Sequence, residues 1–177
     1  MIKISFIFFA YISITNAILV NRTNYINWVQ IRRGEEFQGV RVRQINGGYI
    51  INWLEDYDDS ANSLKVYFNY IFEKSGSREI INVKNLCGTE MPGTLEFAVQ
   101  QHMLTKFATT KQCPIKKGTQ VIFRLPDTYT WETKNHECGW VDGSSYISKT
   151  HSRRNDHTPL LLRIHFTGYV TGPNCLN

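Results

Sequence analysis

Side chains that carry out covalent catalysis are present in the chain, but not in a recognisable catalytic arrangement. Each of five histidines can in principle serve as the base for a neighbouring serine: His102, His136, His151, His157 and His165. No Gly-x-Ser-x-Gly sequence is present to expose a serine nucleophile on a strand-to-helix turn. Disulfide formation would remove the cysteines as thiolate nucleophiles. We therefore expect a protein without enzymatic activity.

Residue types that bind metals also cluster without the spacing of a known metal site. The triplet His136-Glu137-Cys138 is one such cluster, and the segment 151–157 holds two histidines and an aspartate. The chain contains neither His-Glu-x-x-His nor Cys-x-x-Cys, the usual spacings of zinc ligands. The acidic turn at 56–59 lacks the glycine and terminal glutamate of an EF-hand. We interpret all three as solvent-exposed loops and predict no metal and no cofactor.

Composition favours one folded, mildly basic domain. The 177 residues are 42% hydrophobic and 20% charged, with a net charge of +5, which excludes a disordered chain and a large multidomain enzyme. Basic residues gather at 111–117 and at 149–154, where they either form solvated loops or contact an anionic membrane surface or a protein receptor. Because no nucleic-acid-binding module is recognisable, we expect no nucleic-acid partner.

The N-terminus has the pattern of a secretory signal peptide. Lys3 precedes an apolar run from Ile4 to Ile14, and Ala17 supplies a small residue for cleavage. The run is too short to cross a bilayer, although a buried first strand is an alternative. We predict a signal peptide at 1–17, one mature domain at 18–177, and an N-glycosylation site at Asn21 in the triplet Asn21-Arg22-Thr23.

Four widely spaced cysteines agree with secretion. Their number is even, and four cysteines allow three pairings: Cys87, Cys113, Cys138 and Cys175. Two structural disulfides are typical of an oxidising, extracellular compartment. We therefore predict a secreted protein with two disulfide bonds.

The periodicity of the mature chain is that of strands. Apolar and polar residues alternate over 64–72 and 160–167, and the turn Asn46-Gly47-Gly48 predicts a hairpin between 40–45 and 49–54. Shorter strands are expected at 80–83 and 121–125, and Asp142-Gly143 has the composition of a loop. Between 94 and 107 the apolar spacing changes to that of a short amphipathic helix. The chain is therefore expected to be an all-β sandwich or barrel with one helical segment.

One segment resembles a known family. The sequence Cys-Pro-Ile-Lys-Lys-Gly-Thr at 113–119 is similar to a segment of the ML lipid-recognition family, and the order of elements resembles its secreted arthropod branch near the ganglioside activator. A strand ending in Asn85-Leu86-Cys87, a partly helical stretch and a long apolar strand at 160–170 follow the same order. The similarity covers most of 38–170.

The resemblance implies a fold and a disulfide pattern. Members of the family are immunoglobulin-like β-sandwiches whose two antiparallel sheets splay apart around a hydrophobic cavity. The family pattern would pair Cys87 with Cys113, which leaves Cys138 for Cys175. This chain departs from the pattern because it has fewer cysteines and a longer, more polar segment at 131–157.

The cavity implied by the resemblance would be lined by the apolar faces of the strands and of the helix. We predict the following lipid-binding residues: Val66, Phe68, Tyr70, Phe72, Leu95, Val99, Met103, Phe107, Phe123, Leu162, Ile164 and Phe166. The stripe on 95–107 would act as a gate over the cavity mouth. The alternative is that the same residues form an ordinary close-packed core.

Two functions follow from these alternatives. The first is a secreted, monomeric, non-catalytic protein that sequesters or presents a lipid, fatty acid or sterol. Its apolar tail would lie between the sheets, while its headgroup would stay at the rim beside Lys or Arg. The second is a secreted interaction protein with a solid core, such as a salivary, venom or immune effector that acts through surface contacts.

Overall fold

The computed structural model describes residues 19–35, 38–60, 62–150 and 159–175. The predicted signal peptide at 1–17 and the segment 151–157 lie outside these residues. Within them the chain forms nine strands and one helix, in the order β1 (Val20–Arg33), β2 (Val40–Ile45), β3 (Gly48–Trp53), β4 (Leu64–Phe72), β5 (Arg78–Val83), α1 (Leu95–Ala108), β6 (Gln120–Arg124), β7 (Asp127–Thr133), β8 (Gly139–Lys149) and β9 (Leu160–Thr171).

The strands form two antiparallel sheets. Six strands pair in the order β5-β4-β8-β9-β1-β7, and three pair in the order β2-β3-β6. Helix α1 contacts β5 and β7, the two edges of the large sheet, and also β6 of the small sheet. The large sheet is therefore curled, and α1 covers the interior between its edges. The predicted all-β architecture with one short helix is confirmed.

The elements that a clear apolar period predicts are present in the structure at the predicted positions. The alternation over 64–72 is β4, and its even-numbered residues are buried. The predicted hairpin is formed by β2 and β3, and Gly47 in its turn has a φ of +72°, which glycine adopts without strain. The predicted helix at 94–107 is α1.

The prediction of a loop at Asp142-Gly143 is wrong, because both residues lie inside β8. The inward positions of β8 include Gly143, which has no side chain, and Ser145, which has a small polar one, so the strand shows no apolar alternation. Both residues are small because larger side chains pack against them: the Phe166 ring lies against Gly143, and Met103 contacts Ser145. Strand β8 nevertheless pairs along its length with β4 and β9, so it lies in the middle of the large sheet.

Apolar periodicity also does not predict strand β1, and the residues of the strand explain why. Two of its inward residues are the polar side chains Arg22 and Asn24, and both are buried. The pairing with β9 also shifts between Ile26 and Trp28, which breaks the period of two. Sequence periodicity therefore does not identify this 14-residue strand.

Two disulfides join the segments that flank these elements. The bond between Cys87 and Cys113 links the loop before α1 to the loop after it, and the bond between Cys138 and Cys175 links the start of β8 to the chain beyond β9. Both pairings are those implied by the family resemblance. They are compatible with an extracellular protein.

Candidate functional site beneath helix α1

Helix α1 begins and ends at threonines. The Thr94 side chain accepts a hydrogen bond from the Phe97 amide at 3.2 Å, as expected of an N-cap residue. Thr109, with a φ of +53°, ends the helix in the left-handed conformation. These caps fix which residues of the helix face the interior.

The second half of α1 is firmly attached to the rest of the protein. The indole of Trp53 donates a hydrogen bond to the carbonyl of Phe107 at 2.7 Å. Lys106 forms an ion pair with Asp127 at the start of β7. The Gln100 amide, near the middle of the helix, donates to the carbonyls of Leu86 and Gly88 at 3.0 and 2.7 Å.

The first turn of α1 is held less tightly. The residues from Leu95 to Ala98 are only half-buried, and the preceding 91–93 segment is exposed. Between this turn and β7 lies an open groove of about 280 Å³, and a second groove of about 290 Å³ adjoins its start. The helix is therefore flanked by open space where it is least buried.

Two small cavities lie in the interior beneath α1. Each has a volume of about 20 Å³, enough for a single water molecule. Nine of the predicted lipid-binding residues line them: Phe68, Tyr70, Leu95, Val99, Met103, Phe107, Phe123, Ile164 and Phe166. The sequence-derived set therefore converges on one region of the interior.

The other three predicted residues lie elsewhere in the core. Val66, Phe72 and Leu162 are buried but do not line either cavity. The interior is mostly filled by aromatic packing, for example by Phe68 stacked on Phe166 with ring centroids 5.5 Å apart. A lipid tail needs several hundred cubic ångströms, so the interior must expand before it can accept one.

The lining of the cavity between Phe107 and Phe166 also contains polar residues that the sequence pattern does not reveal. Asn24, His102 and Tyr129 line the cavity beside Phe68 and Phe107, and the rings of His102 and Tyr129 lie 4.2 Å apart. Burial lowers the pKa of His102 to about 3, with a smaller contribution from Lys106, and burial raises the pKa of Tyr129. The cluster is therefore uncharged near neutral pH. The signal for Asn24 in the sequence is its inward spacing on β1, a strand that apolar periodicity does not reveal.

Tyr129 connects this interior to the surface. Its side chain lines both small cavities and also the 280 Å³ groove between α1 and β7. It stacks on Trp131, with centroids 5.4 Å apart and planes nearly parallel. Ala98 and Trp131 likewise line both the groove and the cavity nearer to it. These three side chains therefore lie between the groove and the cavity nearer to it.

A larger surface cleft, of about 600 Å³, lies on the other side of α1. Its lining is mainly polar and includes the acidic turn at 56–59, Lys111, Lys116 and the Cys87–Cys113 disulfide. Hydrogen bonds from Ser60 lower the pKa of Asp58. No group of three potential metal-ligating residues occurs within the described ranges. The cleft is mixed in charge and has no apolar lining comparable to the interior.

The remaining sequence candidates do not join the site. His165 lies on the outer face of the large sheet, 3.0 Å from the carboxylate of Asp142. Cys138 of the 136–138 triplet is in a disulfide. Asn21 is exposed at the start of β1. Among the described residues, no helix has the length and hydropathy needed to cross a membrane.

Comparison with protein-family models, curated proteins and solved structures finds no match to this chain.

Proposed function

We propose that this protein is a secreted, non-catalytic lipid-binding protein whose ligand occupies the interior beneath α1. One observation carries the proposal: an apolar interior beneath a partly attached helix contains small cavities next to an open groove. The resemblance of the 113–119 segment to the ML lipid-recognition family supports it. The two disulfides support an extracellular location.

Entry of the ligand requires a movement of α1, because the combined volume of the two small cavities is far less than the volume of a lipid tail. The first turn of the helix is the part that moves, since it is half-buried and borders the groove. The helix from Gln100 onward stays in place through the hydrogen bonds of Gln100 and Trp53 and the ion pair of Lys106. Tail and interior then bury apolar surface together, at roughly 25 cal/mol for each Å².

Native mass spectrometry of the protein secreted from eukaryotic cells, followed by lipid extraction, tests the proposal. The expected result is a stoichiometric lipid that copurifies with the protein or is taken up from a panel of alkanes, alcohols, fatty acids and sterols. Phe68→Asp should abolish uptake in a variant that remains folded by circular dichroism. A protein that stays ligand-free across the panel would contradict the proposal.

The second candidate is a secreted interaction protein that acts through its surface. It is favoured by the small size of the cavities and by aromatic residues on the outer face of the large sheet. Tyr25, Trp28 and Trp140 are each between 43% and 50% exposed there. Trp140 lies edge-on to Tyr169, which pairs with Tyr25 in the neighbouring strand. This function predicts no lipid uptake and a loss of partner binding in Trp140→Ala.

A further inference from the structure

The cavity beneath α1 contains three buried polar atoms with no hydrogen-bond partner among the residues that the structure describes. They are Asn24 Oδ1, His102 Nδ1 and the Tyr129 hydroxyl oxygen. Asn24 and His102 are only 7% and 6% exposed. All three residues line the same cavity. An unpaired buried polar atom costs roughly 1–3 kcal/mol, so three such atoms on residues that line one cavity indicate that a hydrogen-bonding group, either a water molecule or part of a ligand, occupies it.

Among the described residues, no lysine or arginine lines the cavity that holds this cluster. His102 is neutral near pH 7 because of its burial. The nearest lysine on α1, Lys106, is already paired with Asp127. Arg22, two residues before Asn24 on β1, lines neither small cavity, and its guanidinium donates to the carbonyls of His136 and Pro173 instead. A carboxylate or phosphate placed at the cluster would therefore be buried without a counterion, which is strongly unfavourable.

A hydroxyl group matches the three atoms better than an ester, a ketone or a hydrocarbon does. Asn24 Oδ1 can only accept a hydrogen bond, whereas the Tyr129 hydroxyl can donate one. A hydroxyl can donate to the first and accept from the second at the same time. An ester or ketone oxygen only accepts and would leave Asn24 unpaired, and a hydrocarbon would leave all three atoms unpaired.

We propose that the interior selects a neutral lipid alcohol, which binds with its hydroxyl group buried against Asn24, His102 and Tyr129 and its hydrocarbon portion extending toward the groove. This inference rests on the proposed function and specifies its ligand class. It reverses the expected orientation, in which the polar headgroup stays at the rim beside Lys or Arg.

Matched ligands test the proposal. We would measure the affinities of 1-hexadecanol, hexadecane and palmitate, and of cholesterol and cholest-5-ene, delivered from cyclodextrin to the full-length secreted protein at pH 7. Each alcohol is expected to bind at least about fivefold more tightly than its hydrocarbon, the value of one hydrogen bond. Hexadecanol is expected to bind more tightly than palmitate.

Two variants test where the hydroxyl group of the ligand binds. Tyr129→Phe removes one donor and keeps the ring, and Asn24→Leu removes an acceptor that lines the cavities but not the groove. Each should reduce the ratio of alcohol to hydrocarbon affinity toward one. Tyr169→Phe, which removes a hydroxyl from the outer face, should leave the ratio unchanged.

The outcomes separate this inference from the proposed function. Equal binding of alcohol and hydrocarbon, stronger binding of palmitate, or an unchanged ratio in both variants would overturn the alcohol assignment and leave lipid binding in place. Absence of binding by every ligand would overturn the proposed function and the alcohol assignment together.

Discussion

The ring of Phe166 on β9 lies directly against the backbone of Gly143 on β8, the residue paired with it in the sheet. A Cβ atom at position 143 would lie 2.3 Å from Cζ of that ring. The same ring also stacks on Phe68. Gly143 therefore makes room for the aromatic pair at the base of the cavity, and this explains a glycine in the middle of a central strand.

Replacing Gly143 should disturb this packing. In Gly143→Ala the methyl group forces the Phe166 ring out of place, so we expect a loss of about 1–3 kcal/mol in the free energy of unfolding, as for other overpacked cores. Urea denaturation measures the loss. The control, Ser144→Ala on the outer face of the same strand, should stay within about 0.5 kcal/mol of wild type. Equal stability of Gly143→Ala and wild type would show that the ring is not confined.

Arg22 should stabilise the end of the sandwich near the second disulfide. It is 1% exposed, and it donates to the carbonyls of Pro173 and His136 at 2.8 and 2.7 Å. Arg22→Met keeps the aliphatic part but leaves both carbonyls unpaired, so we expect a loss of about 2–3 kcal/mol in chemical denaturation. Arg32→Met, at an exposed position of the same strand, is the matched control. A similar small effect in both variants would contradict this role.

The disulfide between Cys138 and Cys175 should contribute strongly to stability. It spans 37 residues and fixes the segment after β9 to the start of β8. The double variant Cys138→Ser with Cys175→Ser should lose roughly 3–4 kcal/mol, the loop-entropy value for a loop of this length. Thermal and urea unfolding under non-reducing conditions measure the loss. Wild-type stability in the double variant would mean that neighbouring contacts alone hold the segment.

His102 should make the fold sensitive to acid. Its pKa is about 3 in the folded protein, mainly because of burial, and near 6.5 when the chain is unfolded. Between these values the unfolded chain binds a proton that the folded chain does not. The contribution of His102 is therefore fully present above pH 6.5 and is lost as the pH falls toward 3.

Comparison with His102→Gln isolates this effect. The free energy of unfolding of the wild type should fall with decreasing pH more steeply than that of the variant, by up to about 1.4 kcal/mol per pH unit between pH 6 and pH 4. Urea denaturation at a series of pH values measures both slopes. Parallel curves would show that His102 remains accessible to protons in the folded state.

The sequence predicts those parts of the fold in which one face of an element is uniformly apolar. Strand β4 satisfies this condition, and helix α1 carries an apolar stripe beside its buried Gln100 and His102, so the sequence predicts the limits of both to within one residue. Strands β1 and β8 do not satisfy it, because Arg22 and Asn24 face inward on the first, while Gly143 and Ser145 face inward on the second. The inward residues of these two strands are matched to contacts with residues far away in the sequence, and apolar periodicity carries no information about such contacts.

The candidate site, too, can be predicted only in part from the sequence. Its apolar lining could be predicted, since residues such as Phe68 and Ile164 follow the strand period. Its polar part could not, because Asn24, His102 and Tyr129 come from β1, α1 and β7 and meet only in the folded protein. Nor does residue type reveal whether an apolar interior is open or filled, which depends on packing.

Uptake of a lipid past the first turn of α1 is the central claim, and Ala98→Trp tests it most directly. Ala98 lines both the groove and the adjacent cavity, so a tryptophan side chain at this position would fill the space between them. Thr105→Trp, on the exposed side of the same helix, is the matched control. Stoichiometric lipid uptake, measured by native mass spectrometry, is predicted for the wild type and for Thr105→Trp, with at least a tenfold loss of affinity in folded Ala98→Trp. No uptake by the wild type, or equal uptake by all three proteins, would contradict the account.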